Sequence, residues 1–256
     1  MQQESLRNKQ DLQGRTVVIT RPVGTASALA RRVRALRGVP LLLPGLALRR
    51  AADPVAAGAA LGAALGDQII VFTSPAAVRH AAALRPLRTA ATVLAVGQGT
   101  ARALRCHGVA APQAPRQQDS EGLLQLPVLQ ALRGCRVALI GAPGGRGVLR
   151  EQLAARGARL RELHVYHRVP PRLNRRHVDA LLQLPASAQI LLSSAEALHN
   201  LQQQLPTAAW TRLCTATAVA SSERLAAAAR AAGFRHIVTA ASALSADLLA
   251  AAMADA

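Results

Sequence analysis

The chain repeats itself. Ile70-Val71-Phe72-Thr73-Ser74-Pro75-Ala76-Ala77-Val78 returns as Ile190-Leu191-Leu192-Ser193-Ser194-Ala195-Glu196-Ala197-Leu198, an offset of 120 residues. Val17-Val18-Ile19-Thr20-Arg21-Pro22 returns as Val137-Ala138-Leu139-Ile140-Gly141-Ala142-Pro143, with Pro22 and Pro143 at an offset of 121. Val96-Gly97-Gln98-Gly99-Thr100 is echoed by Val219-Ala220-Ser221-Ser222-Glu223 at 123, and Ser120-Glu121-Gly122-Leu123-Leu124 by Ser245-Ala246-Asp247-Leu248-Leu249 at 125. Four units in one order at nearly constant spacing restrict the fold to two similar modules. A chain of 256 residues is long enough for two domains, each with its own core.

Hydrophobic periodicity fills in the modules. Strands are expected at 15–20, 68–73, 92–96, 136–140, 161–168, 189–192, 214–219 and 236–239. Helices are expected at 27–37, 75–84, 100–107, from 120, and at 148–156, 175–184, 196–205, 223–232 and from 246. Val39 to Arg49 is extended and interrupted by Pro44-Gly45, and Pro170-Pro171 makes a hard break. Alternating strands and helices imply parallel sheets with helices on both faces.

The copies do not split at the chain midpoint. The copy of the first unit begins at 137, before Pro170-Pro171, and the copy of the second begins at 190, after it. One domain is therefore built from both chain ends with the other inserted in its middle. The expected organisation is a disordered tail at 1–14, a discontinuous domain at 15–43 plus 171–256, an inserted domain at 50–164, and connectors at 44–49 and 165–170. A cleft between the domains and hinge motion about the double tether follow from that arrangement.

Aromatic residues are only 2% of the chain, so the core must rest on alanine and leucine. The formal net charge is +18, and every basic residue except Lys9 is arginine. Such a field attracts polyanions, and arginine grips carboxylate or phosphate bidentately. Compositional bias toward alanine and arginine is the competing account. Cys106, Cys135 and Cys214 lie far apart without a CxxC pair, which points to buried reduced thiols. The polar stretch from Met1 to Gln13 lacks the apolar core of a signal peptide, and no apolar run is long enough to span a membrane as a helix. A cytoplasmic protein is expected.

In open parallel sheets, ligands bind beyond the carboxyl ends of the strands, where helix N-termini present backbone N–H groups. The duplicated turns fall there: Thr73-Ser74, Gly97-Gln98-Gly99-Thr100, Gly144-Gly145-Arg146, Ser193-Ser194 and Ser221-Ser222. Helix capping accounts for any one such turn. Five of them in two similar domains favour an anion-binding cleft. Gly97-Gln98-Gly99 resembles the start of a dinucleotide fingerprint, but Arg102 occupies the third glycine position and Asp119 follows a Pro/Gln-rich loop. His164 and His167 fall on opposite faces of a strand, which argues against a metal site. Tyr166, the only tyrosine, lies in the second connector, either as packing support or as a phenol able to protonate a leaving group.

Taken in order, these motifs resemble the uroporphyrinogen-III synthase family. Thr20-Arg21-Pro22, Phe72 to Val78, Ala95 to Ala101, Asp119 to Leu124, Val165-Tyr166-His167-Arg168, Ser193 to Leu198 and Ala220 to Arg224 carry the likeness, which covers nearly all the chain after residue 14. The resemblance implies two flavodoxin-like domains. It also implies a cofactor-independent lyase that cyclises hydroxymethylbilane with loss of water and inversion of the last pyrrole ring. No metal or organic cofactor is expected, and neither a nucleic-acid partner nor a membrane. The expected molecule is a monomer in transient contact with hydroxymethylbilane synthase. By motif, Tyr166 assists departure of the hydroxyl. Arg21, Thr73, Ser74, Gly97, Gly99, Thr100, Ser120, Gly145, Arg146, Ser193, Ser194, Ser221 and Ser222 bind the eight substrate carboxylates, largely through the backbone. Ala76 and Ala142-Pro143 depart from the residues common in the family, which leaves Arg146 to supply charge near the second.

Two other classes compete. A non-catalytic two-domain protein that binds a small polyanion in its cleft shares the architecture. A nucleic-acid binder would suit the charge, but the aromatics that stack bases are nearly absent.

Overall fold

The computed structural model describes residues 11–144 and 147–254. The chain divides into two compact units, one of 1–48 with 169–256 and one of 49–168. The strands are β1 (Thr16–Ile19), β2 (Val39–Leu42), β3 (Ala47–Arg50), β4 (Ile69–Phe72), β5 (Thr92–Ala95), β6 (Arg136–Gly141), β7 (Arg159–His164), β8 (Tyr166–Val169), β9 (Gln189–Leu192), β10 (Thr217–Ala220) and β11 (Ile237–Thr239). The helices are α1 (Ser27–Ala35), α2 (Pro54–Ala64), α3 (Pro75–Leu84), α4 (Gln98–Cys106), α5 (Ser120–Leu124), α6 (Val148–Ala155), α7 (Arg175–Leu182), α8 (Ala195–Gln204), α9 (Thr207–Leu213), α10 (Glu223–Ala231) and α11 (Ser245–Ala254).

The first unit holds a parallel sheet in the order β11-β10-β9-β1-β2, and the second a parallel sheet in the order β5-β4-β6-β7. The sequence repeat reappears as topology. The order β10-β9-β1-β2 matches β5-β4-β6-β7, with β9 the copy of β4 and β1 the copy of β6. Even the extra strand β11 has a trace in the other unit, a single parallel bridge from Leu94 to Gln113 beside β5. β3 and β8 pair as a separate two-stranded sheet.

The central strands are buried on both faces, as parallel sheets covered by helices require. β4 and β9 have every residue buried. In the first unit one apolar cluster around Ile190, Leu198 and Phe234 lies on one side, and a second with Leu29, Val33 and Leu248 on the other. The second unit packs Val71, Leu94, Leu123 and Leu153. At the base of β4, the buried carboxylate of Asp67 accepts Arg161 Nε at 2.9 Å and pairs with Arg136 Nε at 3.3 Å, tying β4 to β6 and β7.

Several expectations need correction. The tail expected over 1–14 is anchored at its end, because Leu12 is fully buried against the first core and Asp11 pairs with Arg37. Residues 1–10 lie outside the described residues. Helices α2 and α9 went unforeseen. α2 is built of alanine, glycine, leucine and valine all round, so it has no amphipathic signature. Its start was nonetheless marked by Asp53, which caps Val55 and Ala56 N–H at 2.9 Å, with Pro54 at the first helical position. The strand expected over 161–168 is two strands. Val165 N–H turns to the carbonyl of Gly141, the last residue of β6, so the β6 ladder ends there and the chain leaves to join β3. Cys106 is exposed instead of buried, and Cys135 and Cys214 are half-buried. Burial pushes the Cys214 thiol up to about 11, which keeps it protonated.

Candidate functional site

In the second unit, β4 is a run of β-branched and aromatic residues that ends where Pro75 can only begin a helix. Thr73 and Ser74 fill the junction. Ser74 caps α3, accepting Ala77 N–H at 3.0 Å, and Thr73 Oγ1 donates to the Ile140 carbonyl at 3.2 Å. Gly141 allows this close packing, since a Cβ there would sit 2.5 Å from Thr73 Oγ1. Beyond β6 the chain turns through Pro143 and Gly144, whose φ of +74° lies in the left-handed region that glycine adopts freely. Arg168 Nη2 donates to the carbonyls of both, at 3.0 and 3.1 Å, and so holds the turn.

These strand ends enclose a cavity of about 320 Å³. Thr73, Ser74, Ser120, Tyr166, Arg150 and Arg168 are on its wall, with Gly144, Glu162 and His164. Two guanidinium-bearing side chains outnumber one carboxylate there, which suits an anionic ligand. A second cavity, about 540 Å³, is walled mainly by alanines of α2 and the segment before it, with His164 and His167. Tyr166 lines both.

Tyr166 is 6% exposed. Its hydroxyl lies 3.1 Å from Ser74 Oγ, and its ring stacks on His80 with centroids 5.1 Å apart and planes 16° from parallel. Ser74 Oγ accepts Ala77 N–H and keeps one lone pair and its proton, so either hydroxyl can donate in the pair; with Ser74 donating, the phenolic proton is left for a ligand. Burial, then the nearby positive charges of Arg79 and Arg50, lower the His80 pKa from its ordinary value, and the imidazole facing Tyr166 is neutral near pH 7. Ser74→Ala removes the α3 cap and the phenol's partner together. About 1 kcal/mol of stability should go, read as a lower urea midpoint.

Of the residues expected from sequence, the cavity brings together Thr73, Ser74, Ser120 and Tyr166. Gly97, Gly99 and Thr100 lie beside it at the start of α4. Thr100 is 3% exposed and its N–H donates to Gly97 O at 3.0 Å, while Gln98 N–H takes Gln118 Oε1 at 3.0 Å. Those amides are occupied within the fold. Gly145 and Arg146 lie outside the described residues. Ser193, Ser194, Ser221, Ser222 and Arg21 belong to the other unit. Ser194 and Ser222 cap α8 and α10 by accepting Ala197 and Leu225 N–H, and Ser221 N–H donates to Leu192 O. Arg21 reaches the Ala243 carbonyl at 3.3 Å and Ser245 Oγ at 3.2 Å, tethering the entry to α11. Asp119 caps α5 through Gly122 N–H at 2.7 Å, which gives it a structural task and no ribose to hold. Three residues around Tyr166 carry no sequence signal: His80, Arg150 and Glu162. No spacing rule singles them out, because only the folded sheet places α3, α6 and β7 around Tyr166.

Comparison with known proteins decides the family. The model for uroporphyrinogen-III synthase HemD matches residues 27–250. The chain belongs to the uroporphyrinogen-III synthase family. It is 31% identical over 243 residues to the uroporphyrinogen-III synthase of Escherichia coli, covering 87% of this chain and 93% of that protein. Two solved structures show the same fold. A mutant uroporphyrinogen III synthase from Thermus thermophilus has a TM-score of 0.58 at 23% identity, over 92% of this chain and 96% of that one. A uroporphyrinogen-III synthetase from Helicobacter pylori has a TM-score of 0.60 at 15% identity, over the same shares. The family's enzymatic activity thus stands ahead of the binding-protein reading. Among the described residues, no helix is long and apolar enough to cross a membrane.

Proposed function

We propose that the Tyr166 cavity is where this uroporphyrinogen-III synthase assists ring closure of hydroxymethylbilane. The phenol of Tyr166 protonates the departing hydroxyl. The C–O bond breaks with its electron pair on oxygen, which leaves as water, and the first pyrrole, which carried the hydroxymethyl group, becomes an azafulvene electrophile. The substituted carbon of the last pyrrole attacks it to form a spiro intermediate. The original bond from that carbon to the neighbouring ring's methylene then breaks, leaving a second azafulvene. The free α-carbon of the last pyrrole attacks this to close the macrocycle with that ring inverted. The proton lost on rearomatisation restores the phenol. The observation that carries this reading is the hydroxyl of the single tyrosine, held by Ser74 at the wall of a cavity with Arg150 and Arg168.

The azafulvene is reactive unaided and closes to the wrong isomer. The protein's work is therefore mainly conformational, favouring the inverted closure. Substrate carboxylates would be met by Arg150 and Arg168, by Ser120, and by Gly145 and Arg146 next to the Gly144 turn. Thr73 spends its proton on the Ile140 carbonyl, so its hydroxyl oxygen would accept from a substrate N–H instead of meeting a carboxylate. Arg21, Ser193, Ser194, Ser221 and Ser222 are carboxylate contacts proposed for the other unit by itself. Transient contact with hydroxymethylbilane synthase fits a substrate that decays in water. The test is to incubate the protein with freshly made hydroxymethylbilane, oxidise the products and separate the porphyrin isomers. Type III should predominate. Type I alone, as without protein, would overturn the proposal.

A further inference from the structure

We infer that His80 is a positioning residue for Tyr166, its flat ring setting the plane of the phenol whose hydroxyl meets Ser74. The inference rests on the reading that Tyr166 protonates the leaving hydroxyl. The geometry is that of a two-point grip from one helix. α3 carries Ser74 at its cap, on the phenol oxygen, and His80 six residues further on, against the phenol face. Tyr166 needs such a grip because open volume adjoins it on more than one side. It lines the polar cavity and also the alanine-walled one, where small side chains provide little bulk. Ordinary packing, which locks most buried aromatics, is incomplete around this ring.

A stacked ring restrains the tilt of the phenol while Ser74 fixes the direction of its hydroxyl. Together they leave one orientation for the proton. The neutral state of His80 belongs to the same arrangement. An imidazolium would be partly buried near Arg79 and Arg50 and would put positive charge on the face of the phenol. No proton transfer is required of His80, which touches neither cavity wall given for the substrate. What the site asks of it is flatness and volume.

The test compares His80→Phe with His80→Leu, substitutions of similar bulk of which only the first is flat, with His80→Ala as a third. Tyr166 is the only tyrosine, so the NMR signals of a ring-labelled tyrosine report the flipping rate of this one side chain. His80→Phe should keep kcat within about two-fold of the unchanged protein and leave the ring-flip rate in place. His80→Leu should lower kcat on the order of ten-fold at nearly constant KM and speed the ring flips, as loss of orientation without loss of binding predicts. Equal behaviour of the two variants, or a fall in kcat with the ring-flip rate unchanged, would overturn the inference. If the alanine variant does not fold, the leucine–phenylalanine comparison still decides. Failure of the enzymatic reading is separate: the unchanged protein would then yield type I product only, while the two flip rates would still show whether the stack holds the phenol.

Discussion

Tyr166→Phe lowers kcat by about two orders of magnitude while KM stays nearly constant, because the variant keeps the ring and its stack on His80 and loses only the proton. The expected size is the lower end of what a positioned general acid contributes. Binding should survive, since carboxylate recognition is assigned to arginines and backbone around the cavity and not to the phenol. The isomer ratio separates this from a folding defect. Slower enzymatic closure leaves more hydroxymethylbilane to close unaided, so the type I share rises with time in proportion to the lost rate. Stability should change little, because Ser74 keeps Ala77 N–H as a partner when the phenol oxygen is removed. An undiminished kcat would assign the leaving-group proton to another donor and reduce Tyr166 to a wall of the cavity.

The sequence carried much of the fold in its repeat. Ile70 and Ile190 begin copies of one strand, and Val17 and Val137 begin copies of another. The structure sets those copies at equivalent positions in two sheets. Reading a break at Pro170-Pro171 rests on proline's inability to continue a helix or donate to a ladder. Where pattern reading failed, the physics was local and weak. α2 has no polar face to give it a period, and the end of β7 at Val165 depends on where its partner β6 stops. The site was half legible. Tyr166 stood out as the only tyrosine, and Ser74 as a hydroxyl between a strand and a proline. That they touch follows from β8 turning back toward α3, which no local pattern encodes. The serine turns also changed meaning. Ser74, Ser194 and Ser222 spend their hydroxyls on capping, so a helix start read from sequence as an open anion site is partly occupied by its own side chain.

Phe72→Ala should cost about 3–5 kcal/mol, the range for deleting a buried phenylalanine whose surroundings cannot collapse. Phe72 is 1% exposed at the end of β4, the strand that delivers Thr73 and Ser74 to the cavity. Its neighbours in register are Ala95 on β5 and Ile140 on β6, both fixed by ladders on a sheet of parallel strands. Of these neighbours alanine has no rotamers and isoleucine is stiff at χ1, so neither swings into the void. The cavity therefore stays. Urea unfolding followed by the tyrosine absorbance of Tyr166, which lies in the same unit, should show the midpoint falling with its slope unchanged. Phe72→Leu restores most of the volume and should cost less than about 1.5 kcal/mol. If the alanine variant lost as little as the leucine variant, the sheet would be able to close on itself there. The position of Ser74 beneath Tyr166 would then owe nothing to the bulk of its neighbour.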